Sequence, residues 1–161
     1  MDKKDDFVQL IKANEGIIYK ITAVYSNNAE DQKDLYQEIV YQLWKAQDSY
    51  RGDAKISTWI YRIALNTSIA HINKEKKLGN KVPIGFELLN TAGEADKETE
   101  ERLTILYAAI KKLSVVEKGI VLLFLDGNSH EEIAAITGFT KTNIGTRLGR
   151  IKEKLRSQIK Q

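Results

Sequence analysis

The sequence predicts an all-α protein: two small helical domains joined by a flexible linker, the second containing a helix-turn-helix. Three observations carry this. Apolar residues recur at helical spacing along most of the chain, and nowhere do they alternate as in a half-buried strand. One proline and ten glycines punctuate 161 residues, so helices run long and turns are few. Residues 78–101 break every period and hold that proline, Pro83, together with Gly79, Gly85 and Gly93. The expected division is residues 1–77, a linker at 78–101, and residues 102–161.

The elements follow in order. Phe7, Val8, Leu10, Ile11, Ile17, Ile18, Ile21 and Val24 form a helical stripe with breaks. Asn27, Asn28 and Ala29 interrupt it. A helix beginning near Asp31 places Leu35, Ile39, Leu43 and Trp44 on one face. Arg51-Gly52-Asp53 is a turn signal. Ser57 is placed to cap the next helix, which carries Trp59, Ile60, Ile63, Ala64 and Ile69 and runs to Lys77. The 78–101 stretch is read as a tether, with room for a short helix at its acidic end. Periodicity resumes with Leu103, Leu106, Ile110 and Leu113. Ser114-Val-Val-Glu117 then fits a capping box, in which the serine oxygen and the glutamate satisfy each other's free amides. The stripe that follows is Ile120, Val121, Phe124 and Leu125.

Charge is unevenly spread. Residues 1–50 carry Lys+Arg 6 against Asp+Glu 9, a net of −3; residues 51–77 carry 6 against 2, a net of +4. Residues 78–101 carry 2 against 6, a net of −4, and residues 102–161 carry 11 against 5, a net of +6. Two basic blocks flank an acidic stretch, which suggests a polyanionic partner. There are no cysteines. That removes disulfide frameworks, thiolate metal sites and cysteine nucleophiles, and it suits a reducing cytoplasm. His71 and His130, the two histidines, are too far apart for a local metal motif. No run of 18 apolar residues exists to span a membrane, and the charged start is not patterned as a secretory leader.

The strongest motif lies in the last third. Ser129 and Glu132 form a second capping box opening a short helix. Gly138 can take the left-handed conformation that ends it. Thr140 can cap a third helix, whose apolar stripe is Ile144, Leu148, Ile151 and Leu155. A short helix, a glycine turn and a basic second helix make a helix-turn-helix. Residues 139–161 hold Lys141, Arg147, Arg150, Lys152, Lys154, Arg156 and Lys160 against Glu153 alone. A helix in the major groove reads bases near its N-terminus and meets phosphates along its length. Thr142, Asn143, Thr146, Arg147 and Arg150 are the candidates for its exposed face, with Lys141, Lys152 and Lys154 as further DNA contacts.

The first domain narrows the class. It reads Asp34-Leu35, then Gln37-Glu38, then Trp44; after six residues it continues Tyr50-Arg51-Gly52-Asp53 and Ser57-Thr58-Trp59-Ile60-Tyr61-Arg62-Ile63-Ala64-Leu65-Asn66. This closely resembles the second region of bacterial RNA polymerase sigma factors of the extracytoplasmic-function (ECF) group, within the sigma-70 family. With the helix-turn-helix as the fourth region, the resemblance covers almost the whole chain. Asp34, Gln37 and Glu38 share one polar helix face, which the resemblance implies docks on core RNA polymerase. Arg51, Lys55, Arg62, Lys74, Lys76 and Lys77 can meet phosphates. Tyr50, Trp59 and Tyr61 can stack on bases or pack inside, with the interior favoured for Trp59. The resemblance implies that the loop from Gly52 to Ser57, including Asp53 and Lys55, holds a flipped base of the −10 element. Arg51, Arg62 and Asn66 join it at the DNA, the Asn66 amide offering both a donor and acceptors. Two positions depart from the family: Ile56, where an aromatic residue is common, and Gly145, where arginine or lysine is common.

The implied function is promoter selection, with −35 duplex read by the helix-turn-helix and −10 opening by the first domain. The implied partners are core RNA polymerase, double-stranded promoter DNA, single-stranded −10 DNA and an anti-sigma factor. No cofactor and no membrane insertion are expected, and the expected location is the cytoplasm. The alternative is a stand-alone helix-turn-helix repressor or activator, which leaves the Asp34–Glu38 face without a role. An enzyme is not expected, since no GxSxG, P-loop or HExxH motif is present.

Overall fold

The computed structural model describes residues 2–77 and 97–159. The side chains of Lys76 and Lys77, the tether residues 78–96 and Lys160 lie outside the described residues. The described residues form α-helices and one 3-10 turn, with no strand among them. The chain divides into two compact units, Met1–Gly85 and Phe86–Gln161.

In the first unit, α1 (Lys3–Ala13) starts where Asp2 accepts the Asp5 N–H at 2.8 Å. The stripe at 7–24 is not one helix. It is cut at Asn14, whose side chain donates back to the Leu10 carbonyl at 2.9 Å, and α2 (Glu15–Tyr25) starts afresh. Competition from an asparagine side chain for a helical carbonyl is what ends such a segment. α2 is buried at every position from Ile21 to Tyr25, as befits a central helix. α3 (Ala29–Ala46) is capped by Asn28, which accepts from Asp31 N–H at 2.8 Å. Leu35, Ile39 and Leu43 are wholly buried, each contributing about 1.5–3 kcal/mol by leaving water. Trp44, expected on the same stripe, is 38% exposed instead; its ring meets the ring of Phe7 edge-on at 5.1 Å. A 3-10 turn, Gln47–Ser49, leads to the loop before α4 (Ile56–Lys77). α2, α3 and α4 pack on one another, and α1 lies against α2.

Ser57 does not cap α4. The helix already includes Ile56, and the Trp59 N–H reaches the Lys55 carbonyl at 3.2 Å, so Ser57 sits inside the first turn. Ile60, Tyr61, Ala64, Leu65 and Ser68 make the buried face of α4.

The first described helix of the second unit takes in the acidic end of the tether, where the sequence leaves room for a short helix. α5 (Lys97–Lys111) includes residues 97–101, read above as part of the tether. Glu98 and Glu100 in its first turn complement the helix dipole, and Arg102 pairs with Glu98 at 2.8 Å. α6 (Val115–Leu125) opens with the Ser114–Glu117 capping box, both bonds formed. It is buried from Gly119 to Leu123, while Leu125 is exposed and Phe124 half-buried. The one-sided stripe read through Phe124 and Leu125 is therefore wrong. α6 is an interior helix, and Leu122 and Leu123 take the core positions. α7 (His130–Thr137) and α8 (Lys141–Ile159) follow, and α8 packs on α5, α6 and α7 through Ile144, Leu148 and Ile151.

Candidate functional site

The first unit presents a groove and a loop. Asp34, Gln37 and Glu38 are all exposed, on the side of α3 away from Leu35 and Ile39. Glu38 Oε1 accepts from Gln42 Nε2 at 3.0 Å, one turn along. Asp34 and Glu38 line an open groove whose other wall is α4, through Asn66, His71 and Lys74. Asn66 therefore opens beside the acidic residues of α3. It lies ten residues into α4, about 15 Å along the axis from the loop at its start. Gln37 does not line this groove.

The loop is built by its neighbours. Gly52 has φ +81°, a conformation that side chains rarely adopt, which turns the chain. The Tyr50 hydroxyl donates to the Ala54 carbonyl at 2.7 Å, and its ring lies 5.4 Å from that of Trp59. The loop is thus braced on α4, with Trp59 half-buried. Arg51, Gly52, Asp53 and Lys55 are exposed; Ile56 and Ser57 are half-buried. Arg62 is exposed one turn further. Tyr61 is 1% exposed and is core, not a stacking platform.

One feature of this unit escapes any reading of local motifs. His71 Nε2 lies 2.8 Å from Asp31 Oδ1, forty residues away in sequence, with Glu75 beside them. No periodicity connects α3 to α4 at such a distance.

The second unit presents the helix-turn-helix. Ser129 and Glu132 complete their capping box, and Gly138 ends α7 at φ +87°. Thr140 Oγ1 accepts from Asn143 N–H at 3.1 Å, starting α8. Lys141, Thr142, Asn143, Thr146 and Arg150 are exposed; Thr146 donates to the Thr142 carbonyl at 3.2 Å. Arg147 is half-buried and held. Its Nε donates to Asn143 Oδ1 at 2.7 Å, and its guanidinium stands 4.4 Å from the Phe139 ring centre. The guanidinium's remaining N–H groups are thereby fixed in direction.

Two lysines behave differently from the rest. Lys152 lies over the Phe124 ring at 4.5 Å, and Lys154 pairs with Glu117 at 2.8 Å. Burial pushes the Glu117 carboxyl up. The Lys154 bond, the bonds to the Ser114 backbone and hydroxyl, and the Lys154 charge outweigh this and hold it below its ordinary value. The glutamate that caps α6 therefore also ties α6 to α8. Gly145 faces α7: a Cβ there would lie 3.6 Å from His130 Nδ1.

Residues 10–78 match the family profile Sigma-70 region 2, and residues 103–155 match Sigma-70, region 4. RNA polymerase sigma factor SigV of Bacillus subtilis is 30% identical over 142 residues, 88% of this chain and 83% of that protein. The ECF RNA polymerase sigma-E factor of Escherichia coli K12 is 32% identical over 144 residues, 80% of this chain and 74% of that protein. Among solved structures, the sigma factor RpoE in complex with the anti-sigma factor NepR from Bartonella quintana has the same fold. The TM-score is 0.75 at 21% identity, covering 98% of this chain and 96% of that one. CnrH in complex with the cytosolic domain of CnrY gives 0.70 at 18% identity, covering 99% and 90%.

Proposed function

The chain belongs to the ECF group of sigma-70-family RNA polymerase sigma factors, and from that premise we propose how its surfaces divide the work of initiation. As a sigma factor it binds core RNA polymerase and directs it to promoters. Sigma factors are non-catalytic initiation factors. A stand-alone helix-turn-helix regulator is set aside, because the region 2 match covers most of the first unit.

Asp34, Gln37 and Glu38 dock on core polymerase. The loop residues Arg51, Gly52, Asp53, Lys55 and Ser57, with Arg62 and Asn66 of α4, take the single-stranded −10 element. Lys141, Thr142, Asn143, Thr146, Arg147 and Arg150 face the −35 duplex. Lys152, over Phe124, and Lys154, paired with Glu117, are the further DNA contacts, each with ammonium donors left for a phosphate. The domain limits are 1–77, 78–101 and 102–161, with α5 carrying the second domain back to Lys97. No helix of the described residues is long and apolar enough to cross a membrane. The chain works in the cytoplasm, where polymerase is. It is held inactive by a partner of the anti-sigma kind, as the RpoE relative is bound by NepR.

The observation that carries this reading is the pairing, within one chain, of an exposed polar α3 face with a doubly capped helix-turn-helix whose N-terminal face is exposed. The test is assembly with core polymerase. Gln37→Ala with Glu38→Ala should weaken holoenzyme formation while the helical circular dichroism stays the same, since neither side chain is buried. Unchanged affinity for core would remove this face from the docking surface.

A further inference from the structure

The geometry points to a divalent transition-metal site, of the kind zinc occupies, at the junction of α3 and α4. Its ligands are Asp31, His71 and Glu75. This goes beyond promoter selection and does not depend on it.

The three donors come from two helices. His71 and Glu75 stand four apart on α4, so they share one face. Asp31 projects from the first turn of α3. One ligand atom from each lies within 4.8 Å of the other two, and His71 Nε2 is 2.8 Å from Asp31 Oδ1. Zinc bonds of about 2.0–2.2 Å put neighbouring tetrahedral ligands about 3.3 Å apart, so the donors would draw in by at most about 1.5 Å to close on the ion. Three protein donors leave the fourth position to water. An imidazole beside two carboxylates selects zinc, nickel or copper over magnesium or calcium, which prefer oxygen alone.

Two further features favour a cation. Asp31 Oδ2 accepts the Asn27 N–H at 3.0 Å, which fixes the plane of its carboxylate and leaves Oδ1 directed at His71. The side chains of His71 and Asp31 are only 17% and 16% exposed. A cation bound here would meet both carboxylates and the imidazole at once. The open groove lined by Asp34, Glu38, His71 and Lys74 gives solvent access to the His71 side of the site. A metal here would clasp the first turn of α3 to α4, one turn from Asp34.

The test is a zinc titration of the untagged full-length protein, followed by calorimetry and by the histidine ring resonances. Trp44 and Trp59 both lie in the first unit, so their fluorescence reports its thermal unfolding. The expected result is one zinc per chain, a shift of the His71 ring but not the His130 ring, and a raised melting temperature at ~100 µM zinc. His71→Ala and Glu75→Gln should each weaken binding by about tenfold or more. Glu75→Gln is the safer variant, because it keeps the side-chain volume and the His71–Asp31 bond. His130→Ala should bind as the parent does. Absence of binding at that concentration, or binding unaltered in both His71→Ala and Glu75→Gln, would overturn the site.

Discussion

Gly138 and Gly145 lie seven positions apart and should respond to alanine in opposite directions. Gly138 holds φ +87°, where an L side chain clashes with its own carbonyl, so Gly138→Ala should cost about 1–2 kcal/mol. Gly145 lies within α8. Its Cβ would meet His130 at ordinary contact distance, so Gly145→Ala should gain roughly 1 kcal/mol of helix propensity. Neither tryptophan is in the second unit. Amide hydrogen exchange of α7 and α8 is therefore the measurement: slower in Gly145→Ala, faster in Gly138→Ala. Equal protection in both would show that α7 and α8 do not set the stability of this unit. The role of Gly138 was legible in sequence because a helix stop is a local property. The neighbour of Gly145 was not, because nothing local says which helix crosses it.

Helices in the second unit are joined by side chains that would otherwise be counted as DNA ligands. Glu117 and Lys154 are 37 positions apart, and Phe139 and Arg147 stack across the turn. The capping boxes at Ser114 and Ser129 could be read from three-residue spacing, whereas these ties depend on how α6, α7 and α8 are arranged. Ser57 misled for a local reason: a serine before an apolar run signals a cap, but the Lys55 carbonyl already accepts the Trp59 N–H, so the helix starts sooner. The Glu117 carboxyl is held below its ordinary value near 4.5. A carboxylate depressed by folding contributes stability above its unfolded pKa and loses it as pH falls through the folded one. The α6–α8 tie should thus be complete at neutral pH and weaken as pH drops below about 4.5. Lys154 is half-exposed, so the pair is worth about 0.2–1 kcal/mol. In Lys154→Met, exchange of α8 amides should speed up at pH 7 and change less on acidification than in the parent. Salt titration of −35 binding separates the two kinds of basic residue. Arg150→Ala should reduce the salt slope by about 0.9, the share of one phosphate contact. Lys154→Ala should reduce it less, since its charge is already paired. Equal slopes in the two variants would return Lys154 to the DNA surface.

The two units must act in sequence on one promoter, and Asn66 is where their tasks can be told apart. A duplex contact through the helix-turn-helix needs no strand opening, so a closed complex depends on the second unit and on docking to polymerase. Opening needs a base to leave the stack, at a cost of a few kcal/mol that a pocket can offset. A turned loop held by Tyr50 can enclose a base; a straight helix face cannot. Asn66 stands about 15 Å from that loop and beside Asp34 and Glu38, so the −10 strand would have to run along α4 to meet both. In holoenzyme on a full promoter, Asn66→Ala should keep its affinity for core and its −35 footprint, while permanganate reactivity of unpaired −10 thymines falls. Gln37→Ala with Glu38→Ala should do the reverse, lowering core affinity and leaving reactivity normal in whatever complex forms. Substitutions within Gly52 to Ser57 should match Asn66→Ala. If Asn66→Ala lowers core affinity and leaves thymine reactivity intact, the α3–α4 groove belongs wholly to polymerase docking and base capture rests with the loop alone.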